Sequence, residues 1–329
     1  MKNSNEGEKR DLLKEILVKL RNAQKSEENS ILDDSMFCEL KEHPDIQNIL
    51  KQVDPFILLQ KVTKFRKLNI AYMSDEEINK AILDVLCWNG IASCYTNIRM
   101  YPAGTKFFRV KKLKGTKIPN ERFRAYQDYW ETNPKYLTTY GRLNKPGESL
   151  LYVSPDLDCC IDEVHIQKEE LFAAIRYTAK SDVKVNMIGG EMDYDQLGIQ
   201  DRDVKVVNEI YNNFLRDEFS RDVGKGTEYI YRVSEMIAKN YFDLPPRVVQ
   251  DAWAYSSVQN KMKYNVCFRP DIAHEILELD GAMLCKTASS EKVEVLCVAV
   301  GADENNNILF YPLGSDQQKQ AFPEIGQKV

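Results

Sequence analysis

The sequence predicts a mixed α+β protein in which a helical region precedes a region that combines helices and strands. Over residues 1 to about 90, apolar residues recur at helical spacing, as in Leu12, Leu13, Ile16, Leu17 and Leu20. After Gly104 the pattern changes to short apolar runs bounded by turn residues, which are typical of strands. We therefore expect a helical region over residues 1–95 and an α+β domain over residues 96–329, with a mixed β core surrounded by helices.

Capping residues predict the helix boundaries of the first region. The pair Asp54-Pro55 is typical of an N-cap followed by proline at the first helical position. Ser74 and Glu77 have the spacing of a capping box and stand ahead of a periodic apolar run. The pair Asn89-Gly90 predicts the end of that helix.

The second region contains apolar runs of strand length and three longer helical patterns. We predict strands at residues 106–110, 150–153, 171–178, 183–188, 252–256, 265–268, 275–279, 292–300 and 308–311. We predict helices at residues 159–170, 203–219 and 227–241. Residues 180–182 are expected to join two of the strands as a pair, and residues 301–307 to form a hairpin loop. The aromatic stretch up to Tyr140 is either a loop over a site or an irregular packed segment, which its composition favours.

Composition excludes several classes of protein. The chain has 329 residues, 43% of them hydrophobic, and a formal net charge of -5, which argues against a protein that mainly holds a nucleic-acid backbone. No apolar run approaches the roughly 20 residues that span a bilayer, and charges interrupt the first apolar stretch. The eight cysteines form no CxxC pair and are expected to be buried and reduced. We expect a cytoplasmic protein without a membrane partner.

Three motifs that would carry chemistry are incomplete. Residues 224–227 (GKGT) lack the adjacent lysine and hydroxyl residue of a phosphate-binding Walker loop. His274 begins like a zinc-protease helix, but the second histidine position holds Glu278. Asp156 begins like a calcium loop whose required glycine position holds Ile161. The sequence therefore predicts no metal site.

The remaining candidates are polar residues placed among apolar ones. Arg142 begins a turn shaped by glycine and proline, Tyr152 lies in the middle of a predicted strand, and Glu163 follows on the next helix. Arg109 interrupts an apolar strand. They are interpreted either as one functional site or as salt-bridged arginines, a core tyrosine and a solvated glutamate, and the residues alone leave both open.

Short blocks of sequence occur in an order that resembles the RES domain family. The first blocks are FFRV at 107–110, GRLNKPGESLLYVS at 141–154 and CCIDE at 159–163. The later blocks are TEYIYRVSEMIAKNYFD at 227–243, AYSSV at 254–258 and NVCF at 265–268. The resemblance covers about residues 105 to 275. RES proteins are best known as toxins of bacterial toxin-antitoxin pairs; they resemble ADP-ribosyltransferases in fold and consume NAD.

The resemblance implies a role for each polar residue, with NAD as substrate and no prosthetic group. Arg109 and Arg142 would bind the pyrophosphate, because a guanidinium donates hydrogen bonds in pairs. Tyr152 would line the nicotinamide-ribose pocket. Glu163 would stabilise the cationic ribose that develops as nicotinamide leaves.

Two more positions follow from the later blocks. Ser257, or the adjacent Ser256, and Asn265 would donate hydrogen bonds to the dinucleotide. The resemblance thus implies an ADP-ribosyltransferase-like enzyme that degrades NAD by hydrolysis or phosphorolysis and acts as a toxin or defence effector. The alternatives are transfer of ADP-ribose to a protein or nucleic acid, and an inactive dinucleotide-binding module.

The resemblance also bears on partners. It implies an Xre-type antitoxin or another protein inhibitor, with no nucleic acid bound directly, and it leaves a homo-oligomer open. The chain departs from a compact RES toxin in its helical first region, in an enlarged segment between residues 179 and 250, and in a strand-rich extension past residue 275. These additions are candidates for gating the site or binding a regulator.

Overall fold

The described part of the chain combines helices and strands, in agreement with the α+β prediction. The computed structural model describes residues 44–325 except 96, 114–122, 196, 222, 245, 260–261 and 290–291. The helix predicted around residues 12–20 lies outside these residues. Residues 44–86 of the first region are mainly helical as predicted, with α1 (Pro44–Gln52), α2 (Pro55–Arg66) and α3 (Asp75–Leu86).

The predicted caps of α2 and α3 are confirmed, but the predicted end of α3 is wrong. The Asp54 carboxylate accepts hydrogen bonds from two backbone amides of α2, and Ser74 and Glu77 form both bonds of a capping box. Helix α3 ends at Leu86, and Asn89 and Gly90 have φ angles of 51° and 79°. They form the turn of a short hairpin between β1 (Cys87–Trp88) and β2 (Ile91–Ala92), because the left-handed region suits such turns.

Two five-stranded sheets form the centre of the described part of the chain. The first sheet has the order β12-β11-β10-β6-β4, with β4 (Lys106–Lys112), β6 (Leu171–Ala179), β10 (Leu277–Ser289), β11 (Lys292–Ala302) and β12 (Ile308–Pro312). The second sheet has the order β3-β7-β8-β9-β5, with β3 (Ile98–Tyr101), β5 (Leu151–Val153), β7 (Val183–Met187), β8 (Ala252–Ser256) and β9 (Tyr264–Phe268). Strands β7 and β8 pair in parallel, and the other neighbours pair antiparallel.

The two sheets meet at one corner. The backbone amide of Phe108 in β4 donates to Ser154 O at 2.7 Å, and Ser154 N donates back to Phe108 O at 2.9 Å, directly after β5. The facing sides of the sheets enclose a buried cluster that includes Phe107, Tyr177 and Phe268. Phe107 and Phe268 contact edge to face across it, with ring centroids 5.7 Å apart. Ser154 therefore leads the chain from the corner into the helix that carries Glu163.

Helices cover the outer face of the second sheet. They are α5 (Arg202–Phe219) and α6 (Tyr231–Tyr241), and α1, α2 and α3 pack into the same buried cluster. Phe65 of α2 meets Phe214 of α5 edge to face at 5.1 Å. The helices of the first region thus share a core with the outer face of the second sheet.

Three predicted elements differ from the structure. The strands around residues 180–182 are not a pair, because β6 belongs to the first sheet and β7 to the second. The helix predicted at 159–170 is α4 (Leu157–Glu163) and ends earlier. The strand predicted at 275–279 begins only at β10, because helix α7 (Pro270–Ile276) occupies its first residues. Strand β3 and the last helix, α8 (Asp316–Ala321), were not predicted.

The aromatic stretch before Tyr140 is an irregular packed segment where the structure describes it. It forms two single-turn 3-10 helices, Tyr126–Tyr129 and Pro134–Tyr136. Tyr129 and Trp130 are buried against the cluster between the sheets. Within the described ranges, no helix is both long enough and apolar enough to cross a membrane.

Candidate functional site

Strand register places two of the predicted site residues, Tyr152 and Asn265, on one face of the second sheet. Tyr152 pairs with Cys267, and Tyr255 pairs with Asn265. Directly paired residues share a face, and side chains alternate along a strand, so Tyr152, Tyr255 and Asn265 all lie on the outer face. Ser256 pairs with Tyr264, and its side chain lies on the opposite face. We call the outer face of β5, β8 and β9 the site face.

Glu163 lies at one end of the site face, at the last residue of α4. Its Oε1 accepts hydrogen bonds from Ser257 Oγ, from the backbone amide of Val258 at 3.1 Å and from Asn265 Nδ2 at 3.0 Å. Among the described residues, no hydrogen bond to Oε2 is found. The carboxylate is thus fixed through one oxygen, while the other oxygen keeps its lone pairs for a further donor.

Neighbouring groups fix the donors of Glu163. The buried Cys159 thiol lies 3.9 Å from Asn265 Oδ1, which suits the amide orientation that directs Nδ2 toward Glu163. Burial raises the pKa of Cys159, so the thiol stays protonated as a weak donor. At the start of α4, the Asp156 side chain caps the helix and pairs with Lys263 at 2.8 Å, which joins α4 to the strand that carries Asn265.

Arg142 lies at the other end of the site face and is held by the helices above it. Its Nη1 donates to Phe219 O at 2.5 Å and to Arg221 O at 3.2 Å, at the carboxyl end of α5. A cation is favourable there because unpaired helix carbonyls carry partial negative charge. The guanidinium carbon also lies 5.0 Å from the Tyr231 ring centroid and 5.8 Å from that of Tyr255.

Tyr152 holds the turn that follows Arg142. Its hydroxyl donates to Asn144 Oδ1 at 2.8 Å and accepts from the backbone amide of Leu143 at 3.1 Å. Burial raises the pKa of Tyr152 well above its usual value, so the hydroxyl stays protonated. A Cβ atom at Gly141 would lie 2.2 Å from Asn144 Oδ1, so the tight turn requires glycine there. Gly141 therefore allows the backbone of the turn to approach the Asn144 side chain closely.

Arg109 and Ser256 do not join the other predicted residues. Arg109 donates to Trp130 O and, at 3.1 Å, to Thr132 Oγ1, so it anchors the irregular aromatic segment. Among the described residues, its hydrogen bonds reach neither Glu163 nor Arg142. The structure decides between the two adjacent serines: Ser256 lies on the opposite face of β8, and Ser257 donates to Glu163.

The structure adds Tyr255, which the sequence did not single out as a site residue. Its buried ring lies between the two charged ends of the site face. Burial raises the pKa of Tyr255 most strongly, the Arg142 guanidinium lowers it and the Glu163 carboxylate raises it, so both charges act on one hydroxyl. The sequence offered one signal for this role. Tyr255 stands two residues before Ser257, and side chains two residues apart in a strand lie on the same face.

No group of three or more histidine, cysteine, aspartate or glutamate side chains is gathered as metal ligands among the described residues.

In comparisons with known proteins, no family model matches the chain and no curated protein matches it. The functional argument therefore rests on the geometry of the site face and on the short sequence blocks.

Proposed function

We propose that the site face binds NAD and cleaves its nicotinamide–ribose bond, with Glu163 as the catalytic carboxylate. The observation that carries this proposal is the arrangement of Glu163, whose Oε1 accepts three donors while Oε2 has no described donor. Departure of nicotinamide leaves a cationic ribose, and a carboxylate fixed beside it stabilises that charge without reorganising.

One backbone donor and two side-chain donors suit this task. They fix the carboxylate of α4 against the end of β8 and against β9, so Oε2 keeps one position through the reaction. In this proposal Ser257 and Asn265 position Glu163, where the sequence alone assigned them to the dinucleotide.

The geometry also changes the proposed role of Arg142. One guanidinium nitrogen is already bound to the carbonyls of Phe219 and Arg221. Arg142 would therefore bind the pyrophosphate with its remaining donors, while the rings of Tyr231 and Tyr255 hold its charge in place. Tyr152 supports the turn and offers its ring to the nicotinamide-ribose end. Arg109 has no part in this proposal.

The finer fold assignment belongs to the same proposal. Two sheets that meet at the Phe108–Ser154 corner, with the catalytic carboxylate beside it, support an ADP-ribosyltransferase-like core over about residues 105–275. We propose that the chain acts as a cytoplasmic toxin or defence effector held in check by an antitoxin or another protein inhibitor.

The test is to incubate the purified full chain with NAD and identify the products with and without inorganic phosphate. Nicotinamide with ADP-ribose indicates hydrolysis, and phosphorylated ADP-ribose formed only with phosphate indicates phosphorolysis. Radiolabel from the adenylate half that moves onto protein or nucleic acid would instead identify a transferase. Intact NAD after prolonged incubation with folded protein contradicts the proposal, and calorimetric binding without turnover identifies an inactive module.

A further inference from the structure

Tyr255 lies on the site face next to the residues that bind Glu163. It pairs with Asn265, which donates to Glu163, and directly paired residues have Cβ atoms about 5 Å apart. Two residues further along the chain, Ser257 donates to the same oxygen. On the other side, the Arg142 guanidinium carbon is 5.8 Å from the Tyr255 ring centroid. The ring therefore lies between the cation and the carboxylate of the site face.

Packing fixes the Tyr255 ring. The residue is buried, and its ring contacts that of Phe219 at the end of α5, with centroids 5.9 Å apart. Both rings belong to the buried cluster between the second sheet and its helices. The ring thus directs its hydroxyl without needing a hydrogen bond to hold it.

The Tyr255 hydroxyl has no hydrogen-bond partner among the residues that the structure describes. Buried tyrosine hydroxyls usually bond to a protein group or to water, as Tyr152 does with Asn144 and the Leu143 amide. The Tyr129 hydroxyl is also unbonded, but it is completely enclosed, whereas that of Tyr255 is not. An unbonded and incompletely enclosed hydroxyl on the site face is available to a ligand.

The two neighbouring charges leave this hydroxyl protonated. Burial raises the pKa of Tyr255 well above its ordinary value, the Arg142 guanidinium lowers it, and the Glu163 carboxylate raises it. A protonated tyrosine hydroxyl can both donate and accept one hydrogen bond. The hydroxyl of a sugar has the same capacity, so the two groups are complementary.

We propose that Tyr255 contacts the substrate, with its hydroxyl bound to a hydroxyl of the nicotinamide ribose. This inference rests on the proposed function, in which Arg142 binds the pyrophosphate and Glu163 stabilises the cationic ribose. The nicotinamide ribose joins these two parts of NAD, so it lies over the residue between the two charges. The contact exists before and during bond cleavage, so Tyr255 selects dinucleotides with an intact ribose and does not accelerate cleavage.

The test is calorimetric titration of NAD into full-length Glu163→Gln, which keeps NAD intact, with and without Tyr255→Phe. Loss of one neutral hydrogen bond should weaken binding about fivefold. In chains that retain Glu163, Tyr255→Phe should raise KM by about the same factor and change kcat by less than about twofold. The midpoint of urea denaturation should not change, because the hydroxyl has no partner in the described fold.

Tyr264→Phe is the matched control. Tyr264 is adjacent to Asn265 in β9, and its side chain lies on the opposite face of the sheet with that of Ser256. The variant removes the same hydroxyl from the other side of the sheet, so its affinity for NAD should equal that of its parent. An equal loss of affinity in both tyrosine variants would overturn the inference.

Two analogues of NAD locate the contact, one with a 2′-deoxy and one with a 3′-deoxy nicotinamide ribose. For the analogue that lacks the contacted hydroxyl, Tyr255→Phe should bind as tightly as its parent. The other analogue should keep the fivefold difference. Equal affinities for NAD with and without Tyr255→Phe, or a difference that both analogues retain in full, would overturn the inference.

These results are distinct from those that test the cleavage reaction. If Tyr255→Phe weakens NAD binding but the native chain leaves NAD intact, the ribose contact stands and the proposed reaction fails. If the native chain cleaves NAD but Tyr255→Phe binds it unchanged, only the ribose contact fails. No binding of NAD by any of these chains would overturn both.

Discussion

The two ends of the site face use their charged residue in opposite ways. At one end, the Arg142 guanidinium donates to the last carbonyl of α5 and to a carbonyl just past it, and lies against two tyrosine rings. At the other end, Glu163 receives three donors on a single oxygen, and no described group bonds to the second. The fold thus binds one guanidinium nitrogen of Arg142 to backbone carbonyls and leaves one oxygen of Glu163 for a ligand.

This difference separates stability from activity. A charge whose partners belong to the fold contributes mainly to the free energy of unfolding. A charge that is fixed but incompletely bonded is the kind that a substrate can use. We therefore expect substitutions at the Arg142 end to act first on stability and substitutions at the Glu163 end to act first on turnover.

The largest stability effect is expected for Arg142→Ala. This change removes bonds from a charged group to the carbonyls of Phe219 and Arg221 and the contacts with Tyr231 and Tyr255, which together are worth about 3 kcal/mol. Urea denaturation measures the loss. Arg142→Lys, which keeps the charge without the planar fork, should lose less. Native stability in Arg142→Ala would remove the distinction between the two ends.

Adjacent serines provide a matched pair at the Glu163 end. Ser257→Ala removes a donor to Glu163 Oε1, and we expect nicotinamide release to fall about tenfold, which corresponds to about 1.4 kcal/mol. Ser256→Ala alters the opposite face of the same strand and should leave the rate near the native value. Steady-state kinetics of both variants decide the point, and equal effects would argue against positioning of Glu163 by Ser257.

Tyr152→Phe distinguishes a structural hydroxyl from a reactive one. The hydroxyl bonds to Asn144 and to the Leu143 amide, so its loss should cost about 1 kcal/mol of unfolding free energy. Nicotinamide release should change by no more than about twofold, a shift below 0.5 kcal/mol in the barrier. A collapse of the rate at unchanged stability would show instead that the hydroxyl acts on the substrate.

The smallest effect is expected for Glu235→Gln, and it should depend on pH. Glu235 lies on α6, its side chain is 2% exposed, and Lys145 Nζ is 3.8 Å from Oε1. Burial raises the pKa of this carboxyl above its ordinary value of 4.5. The folded state therefore binds a proton more tightly than the unfolded state, so stability falls as the pH rises through the raised pKa.

Thermal unfolding of both proteins between pH 4 and pH 8 measures this. The variant cannot ionise at this position, so its unfolding midpoint should exceed that of the native protein most at pH 8 and least near pH 4. A constant difference across the range would mean that Glu235 does not titrate differently in the two states.

Local signals were predictable from the sequence, whereas pairings between distant segments were not. Asp54 and Ser74 cap their helices as predicted because each cap involves only neighbouring residues. The pair Asn89-Gly90 suits either a helix end or a hairpin turn, and the pairing of β1 with β2 decides between them. The connection from β6 to β7 was wrong because sheet membership depends on partners far along the chain.

The candidate site shows the same limit. The meeting of Glu163 with Ser257 and Asn265 joins segments about a hundred residues apart, which no local spacing specifies. The order of short blocks grouped them without saying that the serine and the asparagine bind the carboxylate. The choice between Ser256 and Ser257 needed the register of β8 against β9.

The most direct measurement compares nicotinamide release from NAD by the native protein, Glu163→Gln and Asp162→Asn. Asp162 is the adjacent, exposed residue of the same helix, and Asp162→Asn removes the same type of charge as Glu163→Gln. With Glu163 as the catalytic carboxylate, the native protein and Asp162→Asn release nicotinamide at similar rates, and Glu163→Gln, folded by circular dichroism, is at least about 100-fold slower. Release by Glu163→Gln at the native rate would contradict the account.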